Sequence, residues 1–452
     1  MENLRISSYI IPVNLEKEEG KYMLIHGYTG AIDIVSEDMA LKLINATKVD
    51  ANLFSDKALK VLHSRGYITE KTEDEEVEYV ARVAKALHRE ACTLYKNFTL
   101  VVTYNCNFRC PYCFEGRDKK DGLYQLVMTR EMVDKAYKAM DLIEPHPQLH
   151  RKTIELYGGE PLLKQNKDIV EYIVNRGSKK GYRFRAITNG YDLDFFLDLL
   201  SPELIGGIQV TIDGIKEYHN RRRVHYQEKN TFDKIVSNIG KALGQGVKVV
   251  VRVNIDAANV TDFALLRKYF EEIGFFSSPS FRMYSTLLWN SDSISEEERQ
   301  QLSFLSSKQY ISKHQEMNTL DLCKDNGIFD CIYQSLRKGN PIPFRRVFCS
   351  SQAGEYVLDP LGNIYPCWEM IGNENFKIGN YDKDNIEWNN ERLSDWRNYD
   401  ITSSPICKRC KYALYCGGGC VAHARFGKRE HCSYFRQMLD ISVNKAFESS
   451  IK

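Results

Sequence analysis

The chain has 452 residues, and its 62 Lys and Arg against 60 Asp and Glu give a formal net charge of only +2. This length predicts about three domains, and the balanced charge does not favour a nucleic-acid partner. No run approaches the roughly 18 apolar residues of a membrane span. The N-terminus lacks the pattern of a secretory signal, so we expect a cytoplasmic protein without a membrane partner.

The first region, residues 1–92, combines strands with helices. Its predicted elements are strands at 8–15, 22–26 and 31–35, helices at 36–46, 56–65 and 72–92, and a short strand at 67–69. Ser36 is a favourable N-cap, Gly66 suits a left-handed helix end, and Thr72 with Glu75 forms a capping box. This order of elements predicts a small winged-helix-like module.

The second region, residues 93–285, alternates apolar strand-like runs with helical patterns. The predicted strands are Phe98–Thr103, Thr153–Tyr157, Arg183–Thr188, Gly207–Ile212, Lys248–Ile255 and Ser280–Tyr284. The predicted helices include Arg130–Leu142, Asp168–Lys179, Thr231–Leu243 and Thr261–Ile273. Six βα units in sequence predict an α/β fold whose parallel sheet curves into an incomplete (β/α)6 barrel.

Candidate ligand-binding residues follow four of these strands. They are Cys106, Cys110 and Cys113 after the first strand, Gly158, Gly159 and Glu160 after the second, Asn189 and Gly190 after the third, and Asp213 and Gly214 after the fourth. Ligands of such barrels lie at the C-terminal ends of the strands. Because folding alone does not require this coincidence, we predict that these motifs share one site.

Two further regions complete the chain. Residues 286–345 are predicted to be mainly helical and to connect the barrel to residues 346–452. That last region is rich in Cys, Gly and aromatic residues and ends in a helix, and we expect its cysteines to take the place of an apolar core.

The spacing of the first cysteines indicates a metal centre. In a reducing compartment, patterned cysteines are more often metal ligands than disulfide partners. Three thiolates at Cys106, Cys110 and Cys113 leave one iron of a [4Fe–4S] cluster free of protein, and an amino acid cofactor could chelate that iron. A partial zinc site is the alternative, although structural zinc sites use four protein ligands.

The run from Gly158 to Pro161 is the second motif. Two glycines allow a ligand to approach the backbone closely, and the Glu160 carboxylate could accept hydrogen bonds from an ammonium group. An ordinary Gly-rich turn after a strand is the alternative.

Seven more cysteines form a distal set. They are Cys349, Cys367, Cys407, Cys410, Cys416, Cys420 and Cys432. Seven thiols could make two four-ligand sites with one ligand short. Zinc remains the alternative to iron–sulfur here, because Cys-x2-Cys pairs are common in structural zinc sites.

Together these motifs resemble the radical S-adenosylmethionine family, and the distal set with Gly362 resembles its SPASM subfamily, over about residues 97–435. The resemblance implies S-adenosylmethionine and three [4Fe–4S] clusters, one radical-generating and two auxiliary. It implies that Cys106, Cys110 and Cys113 hold the first cluster, that Cys349, Cys367 and Cys420 serve the nearer auxiliary cluster, and that Cys407, Cys410, Cys416 and Cys432 hold the farther one. Gly158, Gly159 and Glu160 would bind the cofactor's amino group, and Asn189 and Thr211 would lie along its ribose or carboxylate.

Two departures bear on the reaction. Sulfatase-maturing members have an extra Cys shortly before the position of Cys349, where this chain has Phe344–Phe348. The fourth ligand would then come from Cys323, from Cys331 or from the substrate. Those members also have a general-base Asp directly after the position of Cys367, where this chain has Trp368 followed by Glu369. No catalytic base is predicted for this chain.

Residues 1–92 resemble the leader-recognition modules of enzymes that modify ribosomally made peptides, which bind a leader as an added strand. We therefore predict a peptide maturase of the sactipeptide or ranthipeptide type that forms a thioether crosslink, with flavodoxin or ferredoxin as electron donor. The enzyme alternatives are a sulfatase-maturing oxidase and a SPASM enzyme that forms C–C bonds. The non-enzyme alternative is a metal-binding protein that binds peptides or DNA.

Overall fold

The computed structural model describes residues 4–46, 49, 53–115, 125–290, 294–325, 327–425 and 431–451. The chain divides into two compact units. The terminal unit contains Met1–Thr93, Asp325–Ala353 and Arg397–Lys452, and the sheet unit contains Leu94–Lys324 and Gly354–Trp396. The boundaries predicted at residues 92, 285 and 345 stay predictions, and residues 346–452 contribute to both compact units.

The described residues of the first segment of the terminal unit form five strands and three helices. They are β1 (Arg5–Ile6), β2 (Ile10–Asn14), β3 (Lys21–His26), β4 (Ile32–Ser36), α1 (Glu37–Asn45), α2 (Asp56–Arg65), β5 (Ile68–Thr69) and α3 (Glu73–Thr93). The strands β2, β3 and β4 form an antiparallel sheet in that order, and β1 pairs with β5.

The predicted ends of these helices are confirmed. The Ser36 side chain accepts a hydrogen bond from the backbone of Met39 and caps α1. Gly66 ends α2 with a φ of 90°. Thr72 and Glu75 exchange the two hydrogen bonds of a capping box at the start of α3. These residues determine where the helices of this segment begin or end. The winged-helix-like character of the segment stays a prediction.

The sheet unit is built on six parallel strands and the helices between them. In chain order they are β6 (Asn97–Thr103), α4 (Arg130–Ile143), β7 (Thr153–Gly158), α5 (Lys167–Lys179), β8 (Arg183–Thr188), β9 (Ile205–Thr211), α6 (Lys216–Arg222), α7 (Phe232–Gly244), β10 (Lys248–Ile255), α8 (Asp262–Glu272) and β11 (Phe281–Leu287). The strands lie side by side in the order of the chain. The predicted succession of parallel strands is confirmed, and its curvature into a barrel stays a prediction.

One connection differs from a regular βα unit. Between β8 and β9 the described chain forms a short 3₁₀ turn, Leu193–Phe196, in place of an α-helix. Phe196 of this turn is buried together with Leu193, Leu199 and Leu200, so apolar side chains of the short crossover contribute to the core.

Four short strands from late in the chain continue the same sheet. They are β12 (Glu355–Leu358), β13 (Asn363–Tyr365), β14 (Gly379–Asn380) and β15 (Glu387–Trp388). Strand β12 pairs in parallel with β6, and β13, β14 and β15 follow in antiparallel order. The sheet therefore has ten strands among the described residues, and β6 lies inside it rather than at its edge.

The remaining helices are α9 (Glu296–Arg299), α10 (Ser307–Glu316), α11 (Ile328–Lys338), α12 (Asn390–Arg397), α13 (Pro405–Lys408), α14 (Ala413–Cys416), α15 (Val421–Arg425) and α16 (His431–Ser450). In the terminal unit, Ile332 of α11 and Leu439 and Val443 of α16 share a buried apolar cluster with Val13 of β2. None of the helices in the described ranges combines the length and hydrophobicity needed to cross a bilayer.

Candidate active site

The cysteine triplet lies in the loop that follows β6. The backbone amide of Phe108 donates to the Cys106 sulfur at 3.3 Å, and the amide of Cys113 donates to the carbonyl of Cys110 at 3.1 Å. Burial raises the pKa of the Cys106 thiol, and Glu160, Cys110 and Cys113 raise it further. The loop therefore brings the three predicted ligands and Glu160 into one electrostatic environment.

The two glycines at the end of β7 lie directly against this loop. The Gly159 amide donates to the carbonyl of Thr103 at 2.9 Å, and the Glu160 amide donates to the carbonyl of Asn105 at 2.8 Å. A Cβ atom on Gly159 would lie 2.4 Å from the Asn105 carbonyl oxygen, and Gly158 has a φ of 126°. The sequence predicted that these glycines allow a ligand to approach the backbone closely. In the structure, the absence of their side chains leaves room for the backbone that leads to Cys106.

Glu160 is buried and accepts hydrogen bonds from three neutral donors. Its carboxylate accepts from the Thr188 hydroxyl at 2.6 Å and from the amides of Leu162 and Asn189 at 3.0 and 2.5 Å. Burial raises the pKa of Glu160 to about 7 although these donors lower it. A buried carboxylate held by neutral donors can accept further hydrogen bonds from an amino group, so its chemistry fits the predicted role.

The structure also brings Asn189 to the cysteine loop. Its side-chain amide donates to the Asn107 side-chain oxygen at 2.7 Å, and Asn107 lies next to Cys106 in the chain. Thr211 is the last residue of β9 and lies opposite Arg252 of β10 in the sheet register. Four of the six parallel strands thus contribute predicted site residues to one end of the sheet.

Sequence reasoning missed a buried ionic network at the same end of the sheet. Arg222 and Arg223 are 5% and 8% exposed. Asp213 and Asp256 are also buried, and both form ion pairs with Arg222. Three consecutive arginines usually indicate a solvent-exposed segment, and the two carboxylates that pair with Arg222 follow different strands. Local sequence therefore carries no signal for this network.

The farther auxiliary set lies in the terminal unit. Burial raises the pKa of the Cys416 thiol to about 12, with further contributions from Cys432, Cys407 and Cys410. These contributions indicate that the four thiols lie near one another, and their ligation of one cluster stays a prediction. Four soft thiolate donors suit zinc as well as an iron–sulfur cluster.

The other three distal cysteines are divided between the units. Cys349 and Cys420 belong to the terminal unit and Cys367 belongs to the sheet unit, so their shared ligation of one cluster stays a prediction. In the terminal unit, the Gly417 Cα lies so close to the chain before Cys349 that a Cβ would be 2.7 Å from the Phe348 amide nitrogen. This contact brings the segments that carry Cys349 and Cys420 together.

Trp368 follows Cys367 and is 44% exposed. Its ring stacks on Tyr157 of β7 with centroids 5.5 Å apart. Burial raises the pKa of Tyr157, and Glu115, Cys113 and Glu369 raise it further, which places this aromatic pair beside the cysteine loop.

The two candidate fourth ligands lie in different places. Cys323 is buried in the sheet unit beside the Ser285 hydroxyl, whereas Cys331 is exposed on α11 in the terminal unit. The choice between them and the substrate stays a prediction.

Comparisons with known proteins find related sequences. The family model of the Radical SAM superfamily matches residues 100–263. The chain is 24% identical over 341 residues to a cysteine-type anaerobic sulfatase-maturating enzyme of Clostridium novyi, covering 70% of this chain and 85% of that protein. It is 26% identical over 272 residues to a GTP 3',8-cyclase of Campylobacter fetus, covering 59% of this chain and 78% of that protein.

Two solved structures share the fold. Native anSMEcpe with bound AdoMet and Cp18Cys peptide has a TM-score of 0.58 at 16% identity, covering 79% of this chain and 99% of that chain. Streptococcus suis SuiB bound to precursor peptide SuiA has a TM-score of 0.50 at 14% identity, covering 96% of this chain and 98% of that chain. At these identities the likeness concerns the fold alone.

Proposed function

We propose that this chain, which belongs to the radical S-adenosylmethionine superfamily and is an enzyme, forms a thioether crosslink in a ribosomally made precursor peptide. The observation that carries the proposal is the segment before Cys349. Phe344 packs on Tyr415 with ring centroids 5.6 Å apart, and the Arg345 amide donates to the Leu414 carbonyl at 2.8 Å. This segment supplies packing and no thiol, which would leave the nearer auxiliary cluster one ligand short for a substrate thiolate.

Each group of residues has a role in this proposal. Cys106, Cys110 and Cys113 would hold the radical-generating cluster, the backbone of Gly158 and Gly159 with the Glu160 carboxylate would bind the cofactor's amino group, and Asn189 and Thr211 would contact its ribose or carboxylate. The clusters and S-adenosylmethionine would supply a 5′-deoxyadenosyl radical and accept the second electron. The remaining seven distal cysteines would hold two auxiliary clusters.

The net change in the peptide fixes the signature of the reaction. One hydrogen atom leaves a substrate carbon, the thiol of a Cys loses its proton, one electron is removed, and a single S–C bond forms. A one-electron donor such as flavodoxin or ferredoxin would provide the electron that starts each turnover. The product is therefore lighter than the peptide by about two hydrogens.

The edge of the first antiparallel sheet suits a peptide leader. Among the described residues β4 pairs only with β3, so its outer edge can accept an added strand. Ile34 on β4 is 49% exposed and offers an apolar contact. The peptide class proposed here also agrees with SuiB, whose structure is described with a bound precursor peptide.

Anaerobic sulfatase maturation is the second candidate, and the likeness to the Clostridium novyi enzyme favours it. Trp368 counts against it, because an indole cannot replace the carboxylate base expected at that position. The aromatic pair of Trp368 and Tyr157 instead offers a flat apolar surface to a substrate side chain.

The two candidates predict different products. The reconstituted enzyme, with reductant and S-adenosylmethionine, is incubated with a short Cys-containing precursor peptide encoded beside its gene, and the product is analysed by tandem mass spectrometry. A loss of two hydrogens, with a crosslink that survives thiol reduction and alkylation, is expected. Conversion of a Cys or Ser side chain to an aldehyde, without a crosslink, would establish the second candidate instead.

A further inference from the structure

A short segment that begins with the last residue of α6 runs along the cysteine loop. We call Arg222–Tyr226 the clasp. The Arg109 amide donates to the Val224 carbonyl at 2.8 Å, and the Tyr226 amide donates to the Asn107 carbonyl at 2.9 Å. Phe108 and His225 face each other as an isolated antiparallel bridge. The clasp therefore fixes the backbone between Cys106 and Cys110 by strand-like pairing.

Side chains of the clasp fix the other half of the loop. The Arg223 guanidinium donates to the Tyr112 hydroxyl, and this hydroxyl donates to Asp213 at 2.5 Å. The Arg222 guanidinium carbon lies 4.8 Å from the centre of the Tyr112 ring, and Arg223 covers the Phe108 ring at 5.6 Å. Tyr112 directly precedes Cys113, so these contacts orient the residues between Cys110 and Cys113.

The charges of the network are unevenly paired. The buried carboxylates of Asp213 and Asp256 lie 3.7 and 3.3 Å from Arg222. Arg223 instead donates to a neutral hydroxyl, and its buried Nε has no hydrogen-bond partner among the described residues. A guanidinium stays protonated in proteins, and the contacts of Arg223 with Tyr112 and Phe108 direct this fixed positive charge at the cysteine loop.

A buried cation without a close carboxylate is costly unless another anion balances it. A [4Fe–4S] cluster held by three thiolates is anionic, and its negative charge increases on reduction. Reduction potentials of such clusters depend on net charge and hydrogen bonding around them. A fixed cation beside the cluster therefore stabilises the reduced state more than the oxidised state.

We propose that Arg223 is a positioning residue of the radical-generating cluster: it orients the loop through Tyr112, and its charge favours reduction of the cluster. This inference rests on the proposed ligation of that cluster by Cys106, Cys110 and Cys113. It requires no peptide substrate.

The test uses the full chain, reconstituted anaerobically with iron and sulfide. Variants Arg223→Met and Arg223→Lys are compared with wild type, and Arg221→Met serves as the control because Arg221 is an exposed arginine two residues before Arg223. An EPR-monitored redox titration follows the cluster signal that changes on addition of S-adenosylmethionine. Cys110→Ala must abolish this signal; if it persists, the ligand assignment is wrong whatever Arg223 does.

The charge contribution predicts a graded result. Arg223→Met should make the midpoint potential more negative, so that the ratio of reduced to oxidised cluster at the wild-type midpoint falls several-fold. Arg223→Lys keeps the charge and should lie closer to wild type, and Arg221→Met should match wild type. A wild-type midpoint in Arg223→Met overturns the proposal.

The orienting contribution has its own variant in case Arg223→Met takes up no iron. Tyr112→Phe keeps the ring and removes the hydroxyl that joins Arg223 to the loop. It should lose iron to a chelator several-fold faster than wild type and Arg221→Met. Loss at the wild-type rate overturns the orienting role. Because neither readout involves a peptide product, failure of the thioether proposal leaves both results interpretable.

Discussion

The two groups of neighbouring cysteines differ in how they are positioned, although each contains a local turn between two of its cysteines. The triplet of Cys106, Cys110 and Cys113 is fixed from outside its own loop, by the chain after β7, by Asn189 and by the clasp. The quartet of Cys407, Cys410, Cys416 and Cys432 includes three members fixed by their own local turns. The Ser404 side chain caps the helix that carries Cys407, and the Cys410 amide donates to the Cys407 carbonyl at 3.1 Å.

The two arrangements suit different kinds of metal centre. A three-thiol loop held by several strand ends couples any cluster it carries to residues that would contact a cofactor. A four-thiol group built by local turns can be complete without such neighbours. The first arrangement suits a reactive centre with an open position, and the second suits a closed centre with a structural or electron-transfer role.

Substituting one cysteine in each group gives the largest expected effect. Fully reconstituted protein should contain about twelve irons if three [4Fe–4S] clusters form. Cys110→Ala should lose about four irons and all reductive cleavage of S-adenosylmethionine, whereas Cys416→Ala should lose about four irons and still cleave it. Iron analysis and assay of 5′-deoxyadenosine measure both, with Cys92→Ala as the control. About two zinc ions per chain and no cleavage of S-adenosylmethionine in the wild type would contradict the assignment of both cysteine groups to iron–sulfur clusters.

A substitution at Gly417, directly after Cys416 of the quartet, tests how much the local turn contributes to stability. Gly417 has a φ of 76°, and an added Cβ would lie 2.7 Å from the Phe348 amide nitrogen. Gly339 has a φ of 66° in open space in the same unit and supplies the matched control. We expect Gly339→Ala to lower the free energy of unfolding by about 1–2 kcal/mol and Gly417→Ala by about 3 kcal/mol or more, because backbone must also move.

Urea denaturation of the metal-free protein under reducing conditions measures both glycine variants. Equal losses would show that the close approach to Phe348 adds nothing to the backbone strain. The left-handed backbone conformation of Gly417 would then account for the whole loss of stability in Gly417→Ala.

A pH titration of stability tests the surroundings of the triplet and has the smallest expected effect. Burial raises the pKa of Glu160 to about 7 from its ordinary value of 4.5. Such a carboxyl contributes stability that is fully present below pH 4.5 and is lost as pH rises through 7. Relative to Glu160→Gln, wild type should therefore lose about 2 kcal/mol of unfolding free energy between pH 5 and pH 8.

The difference between wild type and Glu160→Gln, measured by urea denaturation at each pH, cancels the titration of all other groups. A flat difference would mean that Glu160 is ionised at the same pH in the folded and unfolded chain. The three neutral donors around it would then fully offset its burial.

The elements of the sheet unit were predicted well because each strand is a short apolar run between helices of strong periodicity. The predicted strand Lys248–Ile255 has the same bounds in the structure, and the helix predicted at Arg130–Leu142 ends one residue later. Capping residues fixed the helices of the first 92 residues in the same way. These signals are local, and they survive in a single sequence.

Long-range pairing could not be predicted. Strand β12 has four residues, and its hydrophobic pattern does not distinguish it from a loop. The sequence therefore contains no signal for its pairing with β6. The anchor of this pairing, the buried Asp359, accepts a hydrogen bond from the Tyr104 hydroxyl at 2.9 Å, just before Cys106. The ionic network around Arg222 was missed for the same reason, because its carboxylates are distant in sequence.

The site itself was predicted in part. The structure places Glu160 and Asn189 against the triplet, as the shared strand ends suggested, although the two glycines fit the chain itself. The division of Cys349, Cys367 and Cys420 between two compact units could not be read from their spacing, because contacts and not cysteine patterns define those units.

During synthesis, β6 leaves the ribosome long before its outer neighbour β12. About 250 residues separate the paired segments, and at 5–20 residues per second β6 waits for roughly tens of seconds. In that interval β6, whose residues Phe98, Leu100, Val101 and Val102 are buried in the finished protein, has an unpaired outer edge of the kind that promotes aggregation. A nascent or truncated chain that ends before residue 355 retains this open edge beside the cysteine loop.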